Sequence, residues 1–467
     1  MAISKEFPPA PRTAKRHHAR NGARRFAGAS RTLRRHPPDA RPPGPPLPKI
    51  VQGVLFIAKG LEFLEACQRR YGGIFTLRLP EYGIVYYLSD TDLISEVFAA
   101  DATIMHAGEA NSILEPVTGP HSVLVLDEDE HLRHRRMLLP PLHGQALASY
   151  AGTITDIATR HIDDWPADQP IRLRPRFQAV TLEIITSAIF GEAGSTRAEE
   201  LRVLLDRLFD LSVGKILLLG LRRLLSGELV PPRVRDTRAA IDRLLIAEIE
   251  RRRSEHDRSG ILSLLLDARD ERGEPLTDAE ICDELVTLLL AGHETTATAL
   301  AWTFERLVRH QPELQRLERE LADDEHPYLD ATLNESLRVR PVVMDVGRRL
   351  AQPVDLGGYH LAAGSYILPS IFLVHSNSEH YDHPADFRPE RFLNTKPSKS
   401  MWLPFGGGPR RCLGAAFAMF EMKLLVRLLL ERYTISATRP DDERPRLRGI
   451  TLAPARDCEV VLKRRLP

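Results

Sequence analysis

The sequence predicts a mainly α-helical protein with a minor β-sheet region, and three observations carry that expectation. From about Thr91 to Leu350 apolar residues recur at helical spacing, punctuated by caps and proline stops. Within this region Asp278 to about Arg309 runs without a proline, about 32 residues or a rod of about 48 Å. Strand-like apolar runs bounded by turn residues appear only on either side of it.

The elements follow in chain order. Residues 1–49 carry twelve lysines and arginines against only Glu6 and Asp39. With so few apolar groups, residues 1–40 cannot offset the entropy of ordering and are expected to form a disordered basic arm. An Arg-rich, acid-poor start also fits an organelle transit sequence. Pro8, Pro9, Pro11, Pro37 and Pro38 spoil an amphipathic helix and favour a simple basic tail. Residues 41–49 (RPPGPPLPK) then make a stiff, proline-rich hinge, and 50–467 is expected to be one domain. Phe56 to Tyr71 has a helical pattern. The run IFTLRLPEYGIVYYLSD places two apolar stretches around Pro80–Gly83, a strand hairpin. Strand signals return in VDLGGYHLAAGSYI, from Val354 to Ile367, and near the C-terminus.

Bulk composition narrows the function. Net charge is +1 over 467 residues, so nothing global points to nucleic acid. Cys67, Cys282, Cys412 and Cys458 lie far apart with no CxxC pair, which excludes a disulfide framework and a zinc ribbon. Cys67, Cys282 and Cys458 read as small buried hydrophobes. No apolar run reaches the roughly 18–20 residues that span a bilayer, and Ile216–Leu221 is broken by Arg222 and Arg223. The expected protein is soluble and cytoplasmic, with peripheral membrane contact at most.

The long helix has an odd centre. Thr277 and Glu280 form a capping box at its start, but its middle reads Ala291-Gly-His-Glu-Thr-Thr296. Gly292 costs about 1 kcal/mol of helix stability against alanine. Thr295 can bond back to a carbonyl one turn earlier and loosen the ladder. A lone Glu or Thr at such a place more often belongs to a solvated face or a satisfied buried network. Zinc is excluded, because His293-Glu294 begins an HExxH pattern and position 297 is alanine.

Two arginine sites precede the last cysteine. Glu335 and Arg338 sit three apart on one helical face, and Arg391 in FRPERF can close a fork on Glu335. Most such pairs taken singly are exposed and weak. Then comes FGGGPRRCLG, Phe405 to Gly414: three glycines, a proline and two arginines crowd one sulfur, and an apolar helix follows.

Together these stretches resemble the cytochrome P450 family of haem-thiolate monooxygenases. The matches are FxxGxRxCxG (Phe405, Gly408, Arg410, Cys412, Gly414), ExxR (Glu335, Arg338) and PxRF (Pro389, Arg391, Phe392). To these are added AGx[DE]TT from Ala291 to Thr296, and HxxxR at His131 and Arg135. The resemblance covers about residues 42–467 and implies the P450 fold, with a long central helix over haem b. It implies Cys412 as the iron ligand, with Phe405 and Gly406 beside it and Gly414 following. His131, Arg135, Arg348 and Arg410 become propionate contacts, Arg348 in preference to Arg349. Glu294 and Thr295 become the proton-delivery pair, and Gly292 leaves room for dioxygen. Glu335, Arg338 and Arg391 become a structural triad. A thiolate close to a flat macrocycle needs glycine conformations, amide hydrogens and a helix N-terminus.

Electrons would come from NAD(P)H indirectly, through a separate ferredoxin or flavodoxin with its reductase. Arg133, Arg136, Arg411 and Lys423 either steer that partner or are ordinary surface charge. The expected substrate is a small apolar organic molecule: a fatty acid, terpenoid or steroid. Its pocket is expected from Ile104–His121, Leu211–Leu225, Leu288–His293 and Val342–Val346, with His293 as either a polar handle or a packed histidine. A peroxide-dependent peroxygenase, or a haem isomerase or dehydratase, is the competing enzyme reading, and Glu294 with Thr295 argues against it.

Overall fold

The computed structural model of the chain describes residues 41–80, 82–191, 196–209, 232–254, 259–321 and 326–465. The expected basic arm (1–40) and the apolar stretch Leu211–Leu225 lie outside the described residues.

The proline-rich segment expected as a hinge is tied down at Thr76. The Pro43 carbonyl accepts the Thr76 N–H at 2.8 Å, and the Pro42 carbonyl accepts the Thr76 hydroxyl at 2.6 Å. Gly44 lies so flat on this strand that a Cβ would sit 2.0 Å from the Thr76 oxygen. Prolines lack N–H donors but keep their carbonyls, and those carbonyls pin the segment down.

A helix, Lys49–Tyr71, follows, kinked at Lys59. The expected hairpin is present as β1 (Ile74–Leu79) and β2 (Gly83–Leu88), antiparallel. Other short strands are β3 (Met105–His106), β4 (Pro170–Arg172), β5 (Arg348–Leu350), β6 (Val354–Leu356), β7 (Tyr359–Leu361) and β8 (Tyr366–Pro369). Those near the C-terminus are β9 (Tyr433–Ala437), β10 (Pro445–Arg448), β11 (Thr451–Pro454) and β12 (Glu459–Arg464). The largest sheet has the order β1-β2-β8-β5-β3, and a second runs β4-β12-β9.

The central helix spans Asp278–Leu307, 30 residues, with the Thr277–Glu280 capping box formed at its start. It packs against the helix Leu173–Phe190, against β11, and against the helices Pro327–Val339 and Ala415–Arg432. The main core lies around it, built from residues such as Phe177, Leu285, Leu300, Phe304, Leu333 and Leu425. Cys67, Cys282 and Cys458 are buried and unpaired, as small apolar residues would be. Burial alone pushes the Cys67 thiol to about 11. Among the described residues no helix is long and apolar enough to cross a membrane.

Candidate active site

The Cys412 loop is a tight turn whose shape follows from its glycines. Gly406 and Gly408 adopt φ of +65° and +64°, a region that disfavours any side chain. A Cβ on Gly407 would stand 2.2 Å from the Phe98 ring, and one on Gly408 would stand 2.1 Å from the Phe98 carbonyl oxygen. Two of the glycines therefore make room for Phe98, a cause the sequence did not disclose. Gly414 differs: no protein atom lies within 4 Å of where its Cβ would sit. Space beside the sulfur is kept by the missing side chain.

The Cys412 N–H closes the turn on the Phe405 carbonyl at 2.9 Å. The helix Ala415–Arg432 begins three residues later, with Gly414 at its N-cap. The sulfur keeps an exposed side, yet protein packs around it closely enough for burial to raise the thiol pKa. The Gly414 N–H and the charges of Arg411 and Arg135 pull the other way. A bound cation would complete what these groups begin.

Four cationic or basic side chains lie to one side. His131 comes from the helix Glu128–Leu138 and is buried; Arg135 is one turn later and half-buried. Arg348 is buried on β5, with its guanidinium over the Phe98 ring. Arg410 binds the carbonyls of Val123 and Leu126 and the carboxylate of Asp127. Among the described residues Arg348 bonds only the Gly347 carbonyl, at 2.8 Å. Neither the His131 ring nor the Arg135 guanidinium has a hydrogen-bond partner among the described residues.

The electrostatic strain shows in every member. Burial, then Arg410, Arg135 and Arg348, drive the His131 pKa down to about 3. Burial first brings Arg348 and Arg410 each down to about 10, with only Asp127 offsetting both. Three guanidiniums gathered with only one carboxylate, Asp127, against Arg348 and Arg410 form a cradle that wants anions. Such a cradle, beside a sulfur with room kept by Gly414, fits a dianionic haem. Cys412 is the residue on this side that would hold the haem iron.

The central helix contributes a different face. Ala291 is exposed and Thr295 half-exposed in the middle of a buried helix, so this face borders open space. The Thr295 hydroxyl bonds back to the Ala291 carbonyl at 2.6 Å. Gly292 is placed otherwise than expected: its Cβ direction meets Ile185 at 3.1 Å, so it permits close helix packing. His293 is a packed histidine, buried, with Nδ1 donating to the Leu289 carbonyl. Glu294 turns toward the helix Leu173–Phe190. Gln178 donates to its carboxylate, Arg174 follows at 3.3 Å, and Thr451 lies at 3.5 Å.

The triad is assembled. Arg338 donates to both Glu335 oxygens, at 2.6 and 2.7 Å, and to the carbonyls of His375, Pro384 and Asp386. Arg391 reaches Glu335 at 3.3 Å, and the Arg388 N–H joins at 2.9 Å. His375 was not anticipated. Its Nδ1 donates to the Arg338 carbonyl at 3.1 Å, and its Nε2 accepts the Leu403 N–H at 2.9 Å, two residues before Phe405. A buried histidine thus ties the triad to the cysteine loop. Asp127 was also missed; it receives Arg410 and the N–H groups of Gly108 and Glu109. A lone His or Asp outside any motif carries no signal in one sequence.

Of the four proposed steering residues, three are neutralised. Arg133 pairs with Asp270 and Glu280, Arg136 with Glu271, and Lys423 with Asp330. Arg411 alone of the four has no ion-pair partner among the described residues.

The fold and this site define a haem-thiolate protein: a long helix borders open space, and one cysteine in a glycine turn stands beside an anion cradle. A profile of the cytochrome P450 family matches residues 42–457. Putative cytochrome P450 135B1 of Mycobacterium tuberculosis is 42% identical over 428 residues, 90% of each chain. Putative cytochrome P450 137 of the same organism is 38% identical over 441 residues, 91% of this chain and 92% of that one. Two solved structures share the fold at 23% identity and 91% coverage of this chain. One is the retinoic acid-bound cyanobacterial CYP120A1, at TM-score 0.76 with all of that chain covered. The other is the cytochrome P450DA heme domain, at 0.77 with 98% covered. The chain belongs to the cytochrome P450 family. Members carry haem b, act as monooxygenases and draw on NAD(P)H through redox partners.

Proposed function

We propose that this protein inserts one atom of dioxygen into an apolar organic substrate of fatty acid, terpenoid or steroid type. Electrons come from a separate ferredoxin or flavodoxin with its reductase, in the cytoplasm. The observation that carries this reading is Cys412 standing beside the cradle of His131, Arg135, Arg348 and Arg410. Haem held there by Cys412 would supply the oxygen activation.

The chain's own residues do the rest. Gly406 and Gly408 shape the loop, Phe405 flanks the sulfur, and the Gly414 N–H donates to it. Arg135 and Arg348 have N–H donors free for propionates, while Arg410 divides its donors with Asp127. Thr295 presents a hydroxyl to the open side, and Glu294, its neighbour in the chain, is the acid that feeds water and protons toward it. Glu335, Arg338 and Arg391 fix the segment from which the cysteine loop departs.

Apolar walls come from Leu288, Leu290 and Ala291 on the central helix and from Val343 and Val346 after the triad helix. Partner docking at the sulfur side rests on Arg411, since Arg133, Arg136 and Lys423 are paired. The first test is the carbon monoxide difference spectrum of the reduced protein, with Cys412→Ala losing the thiolate band. A ligand screen following the low-spin to high-spin shift then finds the substrate. Turnover with peroxide but none with dioxygen plus a redox chain would overturn the monooxygenase assignment.

A further inference from the structure

The start of the helix Lys49–Tyr71 is built inside out. Its polar residue Gln52 is 1% exposed, donating to the carbonyls of Pro45 and Leu47 and accepting the Arg78 N–H. Gly53 is pressed against Pro80, where a Cβ would come within 2.9 Å. The aliphatic residues point outward: Leu47 at 36%, Ile50 at 66%, Val51 at 42%, Val54 at 58% and Ile57 at 57% exposure. Five of the thirteen exposed large apolar side chains among the described residues therefore fall within eleven positions. Tyr82, 38% exposed and packed edge-on against Tyr366, is two residues from Pro80 in the neighbouring hairpin. Single exposed hydrophobes need no explanation, but a contiguous stripe on an ordered helix does.

Along residues 40–61 the charge has one sign, and the acid nearest in sequence to the hairpin end of the face is Glu81. Lys49 and Lys59 bracket the segment, and Arg78 is exposed next to it. No acidic residue occurs between Asp39 and Glu62, and residues 1–49 carry twelve cations. The kink at Lys59 (φ −138°, ψ 34°) sets residues 49–58 apart from the part that packs inward at Leu64 and Cys67. A segment this short cannot cross a bilayer, but it can lie in the interface.

We propose that residues 47–58, with Tyr82, form a docking face for the surface of a bilayer containing anionic phospholipid. Apolar side chains enter the headgroup boundary while Lys49, Lys59 and Arg78 engage phosphate. A second copy of this chain would cover the stripe but would bring its own cations to the same place, so like charges oppose that pairing.

The test uses full-length holoprotein and sedimentation with vesicles. Vesicles of phosphatidylglycerol and phosphatidylcholine should bind at least about tenfold more tightly than phosphatidylcholine alone. Val54→Asp with Ile57→Asp should weaken binding by about tenfold or more, with the carbon monoxide spectrum as the folding control. Independently, an Ile50→Trp variant should show a blue-shifted emission on adding the anionic vesicles. Absence of binding, or binding unchanged by the aspartates, overturns the proposal. So does a wild-type dimer at micromolar concentration that the aspartates abolish.

Discussion

The Glu294 carboxylate and the Arg174 guanidinium meet at 3.3 Å, joining the middle of the central helix to the first turn of the helix Leu173–Phe190. Arg174 also grips Asp457, which Arg448 approaches at 3.1 Å from the β10 strand. The acid therefore has a fixed direction and a cation beside it. If it relays protons to Thr295, Glu294→Gln should lower product formation by about 10²-fold while the substrate-induced spin shift stays unchanged. An unaltered rate in that variant would leave Glu294 with a purely structural role. Arg174→Leu should act differently, costing about 1.5–3 kcal/mol of stability, because Asp457 loses one of its two arginine partners and keeps Arg448.

The triad predicts a graded series. Glu335 and Arg338 are both fully buried, so Glu335→Leu strands a charge and should cost about 3–5 kcal/mol in urea unfolding. Arg391 is partly exposed, with a longer contact to Glu335 and carbonyl partners at Asp382 and His383. Arg391→Ala should cost about 1.5–3 kcal/mol, as loss of hydrogen bonds to a charged group does. Equal losses at the two sites would contradict this ranking.

The motif glycines are predicted to separate by readout. Gly408→Ala meets both a positive φ and the Phe98 carbonyl, a backbone atom that cannot swing aside. That variant should fail to fold stably. Gly414→Ala meets no protein atom and has φ of −84°, so its unfolding midpoint should hardly move. Its effect should appear in haem retention and the Soret spectrum. Thermal scans of both variants, with and without added haem, check the contrast.

These cases show what was legible in the sequence. The long helix, its capping box and the β1–β2 hairpin were readable because caps, period and turn residues are local signals. The sequence motifs named Cys412, Glu335, Arg338 and Arg391, because their spacing encodes a shared geometry. What it hid was non-local. The hinge expected at residues 41–49 is pinned by Thr76, more than thirty positions away. Gly407 answers to Phe98, Gly292 to Ile185, and Arg410 to Asp127. Charges that looked free for partner steering, such as Arg133, find acids over a hundred residues along the chain.

His375 yields a prediction about pH. It is fully buried, donating at Nδ1 to the Arg338 carbonyl and accepting at Nε2 from the Leu403 N–H. That arrangement needs the neutral ring, since a proton on Nε2 would face another donor. Burial, and then the Arg338 charge, hold its pKa at about 3, well below the ordinary histidine value of 6.5. The unfolded chain therefore binds this proton more readily than the folded one between those limits. The stabilisation is complete above about pH 6.5 and is lost as pH falls toward 3, by up to about 1.4 kcal/mol per pH unit. His375→Gln keeps a donor and an acceptor but cannot titrate, so its unfolding free energy should fall less steeply over that window. His375→Leu should instead lose about 1–3 kcal/mol at every pH, because the Leu403 N–H and the Arg338 carbonyl lose their partner. Urea titrations at half-unit pH steps distinguish the two. A glutamine variant as acid-labile as the parent would place the proton uptake elsewhere, with His131 the next group to replace.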